Sequence, residues 1–213
     1  MDFGNVFGPE NNIDNPEAVF PEISGFDEFS ELSNADVADF INNVLPPNHL
    51  ENCSDIICAP NAPIWDEVPG AVGVHISSLG EPSIIAVAGG ERLEGCEDTE
   101  LSVLTHEIGH NAYDVLIANN PELAASWAEL YQDSWNTYEA TGLGFVSNYA
   151  QTNVFEDFAE SYAMYVTCPE LLKFMNPDKY EFMRDNVFDG REYAQVIDAE
   201  GNVLVVPQDM PFA

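Results

Sequence analysis

Apolar residues recur at helical spacing from position 101 onward. Leu101, Leu104, Ile108, Ala112 and Val115 form one stripe three to four residues apart, which predicts a helix opened by Asp98 or Thr99. Val103, Tyr113 and Ile117 add apolar surface on the opposite side, so this helix is apolar around most of its circumference and is expected to be buried. A second helix is expected over 122–141, with Leu123, Trp127, Leu130 and Trp135 as core residues. A third follows Asn153, where Ala159 and Ala163 share the face of Glu156 and Glu160, while Phe158, Tyr162 and Tyr165 cover another side. Small residues on that face favour close approach to a neighbouring helix. Pro169 and Pro177 mark the starts of two short helices.

Upstream, Val37, Phe40, Ile41 and Val44 predict a helix over 34–45 with Asn34 as its cap, stopped by Pro46 and Pro47. Residues 48–70 read as loop-rich. Val72–Ile76 and Ser83–Ala88 read as strands, and Val203–Val206 as a late one. Residues 1–33 are rich in Asn, Pro and acid at their start and predict an extended N-terminal arm, with a single domain over 34–213. The whole reads as α+β, mostly helical with a small mixed sheet.

The buried helix carries chemistry. His106 and His110 lie four residues apart and so share one face. Two imidazoles so placed reach one zinc ion at about 2.0–2.1 Å each. Glu107 stands roughly 100° round the helix, near the metal without binding it. This is the H-E-x-x-H arrangement of two ligands and a general base. The blander alternative, two surface histidines, conflicts with the apolar circumference. A third ligand is still needed. His49 and His75 are the remaining histidines, and neither follows the motif. Neither a Gly-x-x-His extension nor a Gly-Thr-x-x-Asp ligand motif is present. Glu156 and Glu160, standing among alanines and aromatics, are the candidates.

HEIGH followed by Tyr149-x6-Glu156-x2-Ala159-Glu160 resembles the gluzincin zinc peptidases of the lethal-factor-like group, which also includes the Pro-Pro endopeptidases. The resemblance implies a zincin-like fold and one zinc ion per chain, held by His106, His110 and Glu156. It implies Glu107 as general base, Tyr149 as support for the tetrahedral intermediate and Glu160 as an outer residue behind the ligands. Asp157, beside Glu156, is an alternative ligand. Asp114, one helical turn beyond His110, is a further candidate for orienting a ligand histidine. The strand Ile84-Ile85-Ala86-Val87, read as a sheet edge, is a candidate for holding an extended substrate backbone. The function implied is a zinc-dependent endopeptidase acting on peptides or proteins. The alternative is a catalytically silent metal-binding protein, which would have no need of Glu107 and Tyr149.

Charge narrows the partners. With 38 acidic against 5 basic residues, the net charge is −33. Phosphate-rich partners need Lys and Arg, so nucleic acid and anionic membrane surfaces are not expected. No apolar run is long enough to span a membrane. The acidity fits a secreted protein or one adapted to high salt, where counterions screen the repulsion. Four cysteines, Cys53, Cys58, Cys96 and Cys168, predict an oxidised extracellular protein with two bridges. A monomer is expected.

Overall fold

The structure is a computed structural model that describes residues 21–90, 99–197 and 203–208. It is α+β and mostly helical. The described residues up to Glu107 form one compact unit, and those from Ile108 onward form another. The boundary falls inside an unbroken helix, α4, Glu100–Ala112.

The first unit is built on a four-stranded mixed sheet. Its strands are β1 (Glu22–Ser24), β2 (Cys53–Cys58), β3 (Gly73–Ser78) and β4 (Glu81–Val87), in the spatial order β1-β2-β4-β3. β1 and β4 run parallel to β2, whereas β3 runs antiparallel to β4. Ser78 pairs with Glu81 across a two-residue turn, where Gly80 takes the left-handed conformation (φ 83°) that such a turn requires. The unit also holds the helices α1 (Phe26–Phe29), α2 (Asn34–Val44) and α3 (Ile64–Glu67) and a 3-10 turn, Pro47–Leu50. Helix α2 buries the expected face of Val37, Phe40, Ile41 and Val44. Its cap is Ser33 rather than Asn34: Asp36 N donates to Ser33 Oγ at 3.0 Å, and Ser33 N donates back to the Asp36 carboxylate at 2.8 Å. This reciprocal capping box satisfies two helix-end donors at once.

Two expectations change here. β2 lies within the stretch read as loop-rich; Ser54 and Asp55 obscure its pattern, and a register shift sits between Cys53 and Asp55. β4 is interior. Its backbone bonds β2 on one side and β3 on the other, and Ile85, Ala86 and Val87 are buried. Ile84, Ile85, Ala86 and Val87 therefore have no free main-chain edge to offer a substrate. Among the described residues, β3 is the sheet edge on that side. Residues of the expected N-terminal arm also take part in this unit, as β1 and α1.

The second unit packs around α6 (Val154–Thr167), which buries eight of its residues from Asp157 to Val166. Around it lie α5 (Pro121–Thr141), α7 (Pro169–Met175), α8 (Pro177–Phe182) and a hairpin of β5 (Tyr193–Ile197) and β6 (Val203–Pro207). Asn120 caps α5, and Gly142 closes it in the left-handed conformation. The core is aromatic. Trp127 meets Phe158 edge-on at 5.1 Å, and Tyr165 stacks on Phe188 at 4.6 Å. Trp127 Nε1 donates to Val154 O, so its polar edge is satisfied in a fully buried position.

Cys53, Cys58 and Cys168 are free thiols, so the expected two-bridge framework is not found among the described residues; Cys96 lies outside them. Cys53 and Cys58 end the same six-residue strand, about 16 Å apart, far beyond the span of a disulfide. Burial, with Glu100 nearby, pushes the Cys58 thiol up to about 11, which leaves it protonated and inert. No described helix is long and apolar enough to cross a membrane.

Candidate metal centre

Helix α4 starts at a local cap. Ser102 N donates to Thr99 Oγ1 at 3.1 Å, and Thr99 N donates to Ser102 Oγ at 3.0 Å. Of the two expected openers, Asp98 lies outside the described residues. Glu100 in the first turn accepts from Ser30 Oγ and Glu31 N, which ties the helix start to the loop after α1. The helix is buried along most of its length, as its apolar circumference predicts. His106 is 8% and Glu107 6% exposed.

Past His110 the helix widens into a π-helical segment, Tyr113–Ile117. Asp114, in this segment, is exposed.

The close approach of α6 is made by small residues. A Cβ placed on Gly109 would lie 3.1 Å from Ala159 Cα and 3.1 Å from Tyr162 Cβ. Gly109 and the buried Ala159 thus let the two backbones meet. One residue from Gly109 and three from Ala159, His110 Nε2 and Glu156 Oε2 lie 3.1 Å apart, both side chains 18% exposed. Glu156 sits in the first turn of α6, where Asn153 Oδ1 accepts from its backbone N at 3.0 Å and from Phe155 N at 2.9 Å.

His106, His110 and Glu156 each offer a ligand atom, and these atoms lie within 4.8 Å of one another. Donors at about 2.0–2.2 Å from a tetrahedral ion stand roughly 3.3–3.6 Å apart, so small side-chain adjustments close this set on one ion. Two imidazoles and one carboxylate are also the donor chemistry of a zinc site that keeps a coordination position open. The residues fit the metal.

Asp157, the alternative ligand, is engaged elsewhere. It is fully buried, and Lys179 Nζ donates to its Oδ1 at 2.5 Å. Its other oxygen, Oδ2, has no hydrogen-bond partner. Burial pushes this carboxyl up to about 6 against the pull of Lys179, and burial likewise lowers the Lys179 ammonium. Asp157 is thus held by Lys179, whereas Glu156 is the carboxylate grouped with His106 and His110.

Tyr149 is 54% exposed on a 3-10 turn, Tyr149–Gln151. Ser147 Oγ fixes this turn: it accepts from Ala150 N at 3.0 Å and donates to Glu160 Oε2 at 2.5 Å. Glu160 thus holds the segment that carries Tyr149, a link through Ser147 that sequence spacing did not reveal.

Gly73, at the start of β3, was also missed. A Cβ there would fall 2.5 Å from Glu107 Oε1 and 2.7 Å from Val103 Cγ1. Its φ is not left-handed, so the glycine is needed for space alone. Gly73→Ala is expected to displace the Glu107 carboxylate, and a structure of the variant with Glu107 unmoved would show that the site tolerates the added methyl group.

Fold and site together define a His-His-Glu group that could hold a metal ion, with the Glu107 carboxylate next to His106, on a mostly helical α+β framework. Residues 45–186 match the profile of the family described as anthrax toxin lethal factor, N- and C-terminal domain, and the chain belongs to that family. No curated protein and no solved structure gives a significant match.

Proposed function

We propose that this chain is a zinc-dependent endopeptidase. The observation that carries the reading is the convergence of His106, His110 and Glu156 next to the buried Glu107. Zinc bound by these three residues supplies Lewis-acid polarisation of a peptide carbonyl and a water that ionises near neutrality. The Glu107 carboxylate takes the proton from the attacking water and returns it to the leaving amine. The Tyr149 hydroxyl donates to the developing oxyanion, a contribution of ~3–4 kcal/mol for one well-placed donor. Glu160, through Ser147, keeps the Tyr149 turn in place. Zinc as the metal, one ion per chain and these catalytic roles belong to this proposal.

The substrate backbone is assigned to β3 rather than β4. β3 is an edge strand of the sheet among the described residues, and its first residue, Gly73, abuts Glu107. An extended peptide added to that edge gains main-chain hydrogen bonds along the strand. The substrate is a peptide or protein, and the chain is read as a secreted monomer.

A quenched-peptide library or casein, incubated with and without a zinc chelator, tests the function. Cleavage that the chelator abolishes and added zinc restores is expected. No cleavage of any substrate by zinc-loaded protein would favour a silent metal-binding role.

A further inference from the structure

We propose that Lys179 is a positioning residue for the candidate centre, and the proposal rests on the zinc reading above. Lys179 is one of two lysines in a chain of net charge −33, yet it is fully buried. Its ammonium makes two bonds, to Asp157 Oδ1 at 2.5 Å and to Gly144 O at 3.4 Å. It also lies 4.7 Å from the centre of the Phe145 ring. The two acceptors belong to the two segments that deliver the site. Asp157 follows Glu156 in the first turn of α6. Gly144 begins the stretch that leads to Tyr149.

Neighbouring residues on a helix point about 100° apart, so fixing the direction of Asp157 fixes that of Glu156. The Gly144 end is equally constrained. Its φ is 119°, and a Cβ there would strike Ser134 O at 2.5 Å. Asn176 Nδ2 donates to Gly144 O at 3.0 Å and to Ser134 Oγ at 3.1 Å. Asn176 also caps the helix that carries Lys179, accepting from Lys179 N at 3.1 Å. One buried cation therefore joins α8, the metal-ligand turn of α6 and the root of the Tyr149 segment. A buried ion pair is costly, and an apolar pair of similar volume often packs as well. What an apolar pair cannot do is aim α6 through a directed bond and add a second donor to the Gly144 carbonyl beside Asn176.

The test compares two double variants with the parent protein. Asp157→Leu with Lys179→Met makes the pair apolar without stranding a charge. Asp157→Asn with Lys179→Gln keeps a neutral hydrogen bond. Zinc affinity is read by competition with a chromogenic chelator, using the metal alone, and hydrogen exchange is followed over residues 145–153. The apolar pair is expected to bind zinc about 10–100-fold more weakly and to lose exchange protection in that stretch, and the amide pair to recover most of both. Parental zinc affinity and protection in the apolar pair would overturn the proposal, as would an amide pair no better than the apolar one. If the parent itself binds no zinc, the metallopeptidase reading fails, and the exchange data still decide whether Lys179 holds the segment.

Discussion

Glu107→Gln is expected to lower peptide turnover by about 10²–10⁴-fold while the protein keeps its zinc. The substitution is nearly isosteric, so the packing against Gly73 and Val103 survives. What it removes is a carboxylate able to accept and return a proton. Glu107 is almost fully buried, next to His106 on the same helix, and packs directly against Gly73. Turnover on a quenched peptide, measured beside zinc content, checks the result. A variant that cleaves at the parental rate with zinc bound would remove Glu107 from the mechanism.

Lys179→Met alone is expected to destabilise the fold by about 3–5 kcal/mol, because it strands Asp157 in an apolar interior. Asp157 Oδ2 already has no hydrogen-bond partner, so its Oδ1 bond to Lys179 is the compensation that the carboxylate has. For a chain of this size the loss corresponds to a melting temperature lower by roughly 6–20 °C. Adding Asp157→Leu is expected to recover most of it, since the stranded charge is then gone. Thermal unfolding of the single and double variants decides the matter. A single variant as stable as the parent would mean that Asp157 is neutral in the fold and gains little from its partner.

The parts of this molecule governed by local spacing were legible in the sequence. HEIGH on a helix apolar all round gives a buried α4, and Ala159 beside Glu156 marks the face where α6 meets Gly109. Prolines and asparagines set the starts of α5, α7 and α8, because each acts within one turn. The parts governed by distant pairing were not legible. Strand order is one. β4 has the more apolar pattern because it is interior, and nothing in that pattern names β3 as the edge. The Lys179–Asp157 pair is another, joining residues 22 apart that each look like ordinary surface charges. The even cysteine count suggested bridges, but two of the thiols lie at opposite ends of one strand.

The central claim is that one turn of α4 and the first turn of α6 share a metal ion. Elemental analysis of the purified protein tests it most directly. The account predicts one zinc per chain in the parent, falling close to zero in His110→Ala and in Glu156→Ala. A metal-free parent protein, or zinc retained in full by Glu156→Ala, would contradict it.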